Sequence, residues 1–77
     1  MNWRERIHVD PKICHGKACI KGTRVMVAVV LDNLAAGEDP VDIMRGYHVE
    51  REDIEAAIRY AAELAHERVI PLATGPS

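Results

Sequence analysis

Phenylalanine is absent from this chain of 77 residues, and its aromatic side chains are one tryptophan and two tyrosines. A chain this short has little room for a core, and here the core must be built from Val, Ile, Leu, Ala and Met. Such a core supplies only a few kcal/mol of net stability. The sequence therefore favours one small domain, residues 1–77, that gains stability from a partner.

Cysteine is scarce, and long apolar runs are missing. Two cysteines without a secretory signal point to a reducing compartment, and the first residues have no apolar core of the signal-peptide kind. The longest apolar run, residues 25–31, is far too short to span a bilayer. We therefore expect a cytoplasmic protein with no membrane partner.

Charges of the two signs are unevenly distributed along the chain. Up to residue 24 there are six Lys and Arg against two acids, whereas four bases and ten acids follow. The net charge of −2 thus combines a segment of about +4 with one of about −6. This asymmetry predicts a basic arm at residues 1–24, an acidic helical body at residues 25–70 and a flexible tail at residues 71–77.

The basic arm contains a run of special residues, Ile-Cys-His-Gly-Lys-Ala-Cys-Ile-Lys-Gly-Thr-Arg, over residues 13–24. Ahead of it, residues 7–9 form a short strand-like piece. Ile13-Cys14 and Cys19-Ile20 flank a loop centred on a glycine, which predicts a tight β-hairpin between them. Thr23 is also a candidate N-cap for the helix that follows. The predicted turn residues are Gly16, Gly22 and Thr23.

Two short helices are expected after the arm. Residues 25–36 fit a helix that ends before Gly37, a residue typical of the position just past a helix. Asp39 followed by Pro40 is typical of an N-cap and a first turn. This second helix is expected to end at Gly46.

A longer third helix is predicted from about Arg51 to Arg68. Glu55 and Arg59 are expected to pair on its solvent side. Its apolar face comprises Ile54, Ala57, Ile58, Ala61, Leu64 and Ala65. The expected fold is mainly α, with an N-terminal β-hairpin arm followed by a three-helix, helix-turn-helix-like bundle.

Short sequence pieces spread from about Val9 to Ala62 match a known pattern, and the block Lys21-Gly22-Thr23-Arg24 is highly specific. The other pieces are Asp10-Pro11, Ile13-Cys14, Gly16-Lys17, Cys19-Ile20, Val27, Leu31, Leu34, Ala35-Ala36-Gly37, Ile43, Tyr47, Glu52-Asp53-Ile54, Ala57 and Tyr60-Ala61-Ala62. On these pieces the chain resembles the domain-of-unknown-function 433 family of short bacterial and archaeal proteins. The resemblance implies a homeodomain-like helical domain with a small β arm. Some members pair with PIN-domain ribonuclease toxins as VapB-like antitoxins, and many have no assigned role.

The chain departs from the family pattern at two places. Glu50 stands where the family often has a Ser or Thr N-cap, so the resemblance implies a weaker start for the third helix. The tail after Pro71 is brief, which leaves little chain for wrapping a toxin.

Basic side chains near the hairpin are the candidate DNA- or partner-binding site. Such charges suit phosphates or an acidic protein surface, and neighbouring glycines let a partner approach the backbone. They also suit a solvated hairpin that neutralises the acidic helices, and Arg24 suits a tie between arm and helices. The third helix opens with acidic residues that repel phosphates, so the arm is the better DNA contact. The four candidates are Lys12, Lys17, Lys21 and Arg24.

Cys14 and Cys19, with His15 beside them, have the residue types of a zinc site. Their Cys-x4-Cys spacing, however, lacks a second cysteine pair and paired downstream histidines. Reduced cysteines that pack as small hydrophobes fit the pattern better, and a cross-strand disulfide is disfavoured in the cytosol. We therefore expect no metal and no cofactor.

No catalytic set stands out. Lys21-Gly22-Thr23 has the wrong order for a phosphate-binding loop. The histidines are scattered and show no spacing typical of a catalytic site. They are His8, His15, His48 and His66. We therefore expect a protein that is not an enzyme.

Composition and resemblance together predict a small homodimeric protein that is antitoxin-like. It would bind a PIN-type ribonuclease toxin and, through the basic arm, its own promoter DNA. The toxin and the promoter come from the resemblance. A stand-alone transcription regulator and a structural dimerisation module with no nucleic-acid role are the alternatives.

Overall fold

The structure, a computed structural model, describes residues 2–67. The chain begins with a 3-10 turn at Trp3–Glu5, strand β1 at Ile7–His8, a second 3-10 turn at Cys14–Gly16 and strand β2 at Cys19–Ile20. Three helices follow, α1 at Val27–Ala35, α2 at Pro40–Tyr47 and α3 at Arg51–Glu67. This confirms the predicted fold class.

Two expectations fall partly or wholly beyond these residues. The predicted helix end at Arg68 and the tail at residues 71–77 lie outside the described part of the chain. Within residues 2–67, no helix has the length and apolar character needed to cross a membrane.

The hairpin pairs different residues from those predicted. β1 and β2 are antiparallel, with Ile7 opposite Ile20 and His8 opposite Cys19. The predicted first strand, Ile13-Cys14, is instead part of the connection between β1 and β2. That prediction was wrong because two apolar pieces precede β2 at distances that allow pairing, and only burial in the finished core selects Ile7.

Backbone conformation explains why the chain curls at residues 14–16. Cys14 and His15 have φ values of 53° and 55°, and Gly16 has a φ of 78°. Left-handed residues bend the chain, whereas a strand needs extended backbone. Only the glycine among them adopts this conformation at little cost.

The second edge of β2 pairs with the chain that leads into α1. The Ile20 amide donates to the Val25 carbonyl at 2.9 Å, and Cys19 forms a bridge with Met26. Thr23 closes the turn between them, since its hydroxyl donates to the Ile20 carbonyl at 2.8 Å and accepts from the Val25 amide at 3.0 Å. The predicted Thr23 cap was therefore wrong, because this hydroxyl is already engaged and Met26 occupies the N-cap position of α1.

Helix α1 ends as predicted, before Gly37. The Gly37 amide donates to the Leu34 carbonyl and the Glu38 amide to the Asn33 carbonyl, each at 3.0 Å. With a φ of 89° at Gly37, this is a Schellman motif.

Helix α2 starts where predicted and ends later. The Asp39 carboxylate accepts the Val41 amide at 2.9 Å, which confirms the cap. The helix continues through Gly46, however, and His48 ends it in a left-handed conformation with a φ of 57°. A glycine ends a helix only when it adopts a positive φ, and the φ of Gly46 is not positive.

The core joins both halves of the chain. The buried apolar residues are Ile7, Cys19, Ile20, Val27, Val30, Ile43, Val49, Ile54, Ala56 and Ala57. The strands of the predicted basic arm therefore pack into the same core as the helices.

Helix α3 buries part of the predicted face. Ile54 and Ala57 are buried as predicted, whereas Ile58 is 49% exposed and Leu64 is 37% exposed. Asp53 and Ala56, which the predicted face did not include, are also buried, and Asp53 is 8% exposed. Among residues 2–67, ion pairs join Arg4 to Glu63 and Arg6 to Asp53, and the predicted Glu55–Arg59 pair does not form.

Candidate functional site

The first residues of the chain dock on α3 through an aromatic contact. The rings of Trp3 and Tyr60 meet edge to face, with centroids 5.4 Å apart and planes 78° apart. The Arg4 guanidinium lies 4.5 Å from the Trp3 ring centroid and 3.6 Å from the Glu63 carboxylate. The charge of Arg4 is therefore directed at α3.

Arg6 is paired with the same helix. Its guanidinium donates to one Asp53 carboxylate oxygen at 2.9 Å, and the other oxygen accepts the Glu50 amide at 2.8 Å. Hydrogen bonding to Asp53 raises the pKa of Arg6, against the opposing effect of desolvation. Asp53 thus supplies, from inside α3, a hydrogen bond at the helix start, where Glu50 stands in place of the Ser or Thr N-cap that the resemblance led us to expect.

The four predicted basic residues are all exposed, and within residues 2–67 none forms an ion pair. The structure nevertheless does not gather them into one patch. Lys12 and Arg24 line one cleft of about 290 Å³. Lys21 borders a cleft that also contains Glu5, Glu50 and Asp53, and Lys17 borders an apolar groove. Only Lys12 and Arg24 therefore share a site.

The predicted turn residues shape the backbone around this site. Gly22 has a φ of 81°, and a β-carbon there would meet no atom within 4 Å. Gly16 has a φ of 78°, and a β-carbon there would lie 3.8 Å from the Pro11 Cα atom. Both glycines are therefore required by backbone conformation and not by crowding.

Both cysteines are free thiols in the structure. Cys19 is fully buried. Burial is the largest cause of the raised pKa of its thiol, and hydrogen bonding with Cys14 is the second. The half-buried Cys14 thiol donates to the Arg24 carbonyl at 3.3 Å. Within the described ranges, His15 and these cysteines do not form a group of three or more ligands placed to hold a metal ion.

Sequence reasoning missed an apolar groove of about 350 Å³ between the β1–β2 connection, α1 and α3. Val9, at its edge, is 59% exposed, and among residues 2–67 Lys17 is the only charged residue that lines it. The groove was missed because Leu64 fits the helical period of a core residue. The other lining residues are Gly16, Ala18, Met26, Val27, Ala28, Leu31 and Tyr60.

A second missed feature is a cleft of about 520 Å³ beside β1, lined by His8, Ile13, Gly22, Thr23 and Arg24. The Nε2 atom of His8 is buried and has no hydrogen-bond partner in the described part of the chain. A lone histidine in a strand gives no sequence signal for such a position.

Comparison with known proteins agrees with the fold. The family model described as "Protein of unknown function (DUF433)" matches residues 7–61. The chain belongs to the DUF433 family. This confirms the resemblance seen in the sequence, including the block at residues 21–24.

A solved DUF433 structure has the same fold. The crystal structure of a DUF433 member protein from Anabaena variabilis superimposes with a TM-score of 0.73 at 25% sequence identity. The alignment covers 80% of this chain and 62% of the other, so this chain spans less than two thirds of its relative. A search of the curated proteins found no match.

Proposed function

We propose that this DUF433 protein is an antitoxin-like protein that binds a PIN-type ribonuclease toxin in the cytoplasm and performs no catalysis itself. The observation that carries the proposal is the apolar groove between the β1–β2 connection, α1 and α3. The kind of toxin is inferred from the family resemblance, since some members pair with PIN-domain ribonucleases.

The groove has the properties of a partner site. Contiguous exposed apolar surface is unfavourable in water, and a protein partner gains binding energy by covering it. Val9 and Leu64 are exposed on its border, and in the described part of the chain Lys17 is the one charged residue there. The fitting occupant is a toxin segment with apolar side chains and an acidic residue placed to face Lys17.

Co-purification tests this proposal with a matched pair of variants. The chain is co-expressed with a PIN-type ribonuclease encoded next to it, and the complex is captured through a tag on the nuclease. Val9→Glu places a charge in the groove and lowers recovery of the complex about tenfold or more. Val41→Glu, at a residue that is 44% exposed on α2 and outside the groove lining, leaves recovery unchanged.

Far-UV circular dichroism first establishes that both variants are folded. Equal recovery of the two variants would remove the groove from the interface. Failure of the unaltered chain to co-purify or to relieve toxicity would remove the toxin from the proposal.

A second activity, binding of promoter DNA, is favoured by the distribution of basic side chains. Arg4 and Arg6 are paired with α3, whereas Lys12 and Arg24 are exposed, unpaired within residues 2–67, and share a cleft. We propose that a homodimer presents two such clefts to phosphates of its own upstream DNA. Exposed Lys and Arg are the groups that make protein–DNA affinity depend on salt.

Fluorescence anisotropy with the protein's own upstream duplex and an unrelated duplex tests this activity. The double variant Lys12→Ala/Arg24→Ala reduces the slope of log affinity against log salt by about 4, because the dimer loses two phosphate-contacting side chains in each of its two clefts. Lys21→Ala is the control, because Lys21 lies beside acidic residues, and it changes the slope less. Tight, specific binding without any toxin would favour the stand-alone regulator. A stable dimer with equally weak binding to both duplexes would favour the dimerisation module.

A further inference from the structure

The two thiols lie against the same short segment of backbone. Cys19 in β2 forms a bridge with Met26, and the Cys14 thiol donates to the carbonyl of Arg24, two residues earlier. The segment between them runs beside β2, because the Ile20 amide donates to the Val25 carbonyl. The Cys14 side chain also contributes to the raised pKa of the Cys19 thiol. The fold thus holds both cysteines against residues 24–26.

Access to the two thiols differs. Cys19 is fully buried, whereas Cys14 lines the cleft of about 290 Å³ that Lys12, His15 and Arg24 also line. A reagent from solution therefore reaches Cys14 first. The basic side chains around it attract reagents that carry carboxylates.

The backbone at Cys14 is strained. Both Cys14 and His15 adopt left-handed conformations, which are unfavourable for residues with a β-carbon. Strained backbone of this kind is concentrated at functional sites. Here one of the strained residues is the cysteine that lines the cleft.

We propose that Cys14 and Cys19 form a reversible thiol–disulfide site that takes an anionic low-molecular-weight disulfide as its oxidant. Cys14 attacks one sulfur of the small disulfide, whose S–S bond breaks and releases one small thiol carrying the proton from Cys14. Cys19 then attacks the Cys14 sulfur, and the second small thiol leaves with the proton from Cys19. The two protein thiols are oxidised to a disulfide, and the small disulfide is reduced to two thiols.

Burial assigns the order of the two steps. The raised pKa of Cys19 and its lack of exposure make it a poor first nucleophile and a suitable resolving thiol. This chemistry needs only the cleft and the thiol pair, and DNA phosphates bound by Lys12 and Arg24 in the same cleft would compete with the oxidant.

Mass spectrometry of the full folded chain after exposure to oxidised glutathione and then to an alkylating reagent tests the site. The unaltered chain becomes two hydrogen masses lighter and resists alkylation at both cysteines. Cys19→Ser stops at a glutathione adduct on Cys14, and Cys14→Ser stays unmodified at Cys19. Cys19→Ala replaces Cys19→Ser if the buried hydroxyl unfolds the chain.

The role of the basic side chains is tested with a second oxidant of opposite charge. Arg24→Ala slows reaction with oxidised glutathione about threefold or more, but does not slow reaction with cystamine, a cationic disulfide. An unreactive chain, an adduct on Cys19 in Cys14→Ser, or an adduct on Cys14 that Cys19 never resolves would each overturn the proposal.

Discussion

At the scale of single residues, Asp53 links the N-terminal segment to the start of α3. One carboxylate oxygen accepts from Arg6 and the other from the Glu50 amide, so the same side chain holds the N-terminal segment and starts α3. A buried carboxylate is stable only with such partners, because desolvation penalises an unpaired charge. Arg6 is therefore not a free surface charge, because the buried carboxylate of Asp53 in α3 needs it as a partner.

Replacing Asp53 with alanine is expected to lower the free energy of unfolding by about 2–3 kcal/mol. The variant loses the helix-start bond and leaves Arg6 without its partner. Urea unfolding followed by circular dichroism measures the change. Glu55→Ala, at an exposed position on the same helix, is the control and is expected to change stability by less than about 0.5 kcal/mol. Equal losses in the two variants would contradict the role given to Asp53.

Sequence reasoning did not find this residue's role because the partner is far away along the chain. Arg6 and Asp53 are 47 positions apart, and the apolar face predicted for the third helix did not include Asp53. By contrast, the Asp39 cap was predicted correctly because its hydrogen-bond partner, the Val41 amide, is two residues away. Local polar contacts can be predicted from spacing, whereas a buried ion pair depends on the complete fold.

At the scale of elements, two glycines that both suggested helix ends behave differently. Gly37 has a φ of 89° in a Schellman motif, whereas Gly46 lies inside α2. Gly37→Ala is expected to destabilise the protein by about 1 kcal/mol, because a β-carbon is strained at positive φ. Gly46→Ala is expected to stabilise it by about 0.5–1 kcal/mol, because alanine is the better helix former and has space there.

Thermal unfolding of both glycine variants, compared with the unaltered chain, measures these changes. Each variant is the control for the other, since both add one methyl group at a position with no atom within 4 Å. Changes of the same sign would show that the φ difference between the two positions does not govern stability.

The elements also show which parts of the fold the sequence predicts. The three helices were predicted because their apolar period, caps and breakers lie within each segment. The strand pairing of the hairpin was not predicted, because Ile7 and Ile13 are equally suitable partners for Ile20 by pattern alone. Only the core, in which Ile7 is buried, distinguishes them.

At the scale of the whole molecule, the N-terminal segment is part of the folded body. Trp3 meets Tyr60, and Ile7 and Ile20 pack with residues of all three helices in one core. The four basic candidates are exposed and their binding role stays a prediction, whereas their separation into different clefts was not predicted. Surface position depends on how the segment folds against α3, which residue spacing does not reveal.

This packing predicts one cooperative unfolding transition. Trp3 is the single tryptophan, so its fluorescence reports the docking of the N-terminal segment on α3. Urea titrations followed by Trp3 fluorescence and by far-UV circular dichroism are expected to give the same midpoint. N-acetyltryptophanamide in the same urea series supplies the fluorescence baseline. A fluorescence midpoint at lower urea would show that the segment undocks as an independent arm.

The distance along the chain between Arg6 and Asp53 has a consequence for how the protein is made. The ribosome releases the N-terminal residues first, and the residues of α3 that bind them are synthesised 47 positions later. Until then Arg6 has no carboxylate to bind, and Ile7 has no helix α3 to pack against. Until α3 has been synthesised, the basic residues of the N-terminal segment therefore stay uncovered in the nascent chain, and the core around Ile7 closes only when α3 has emerged.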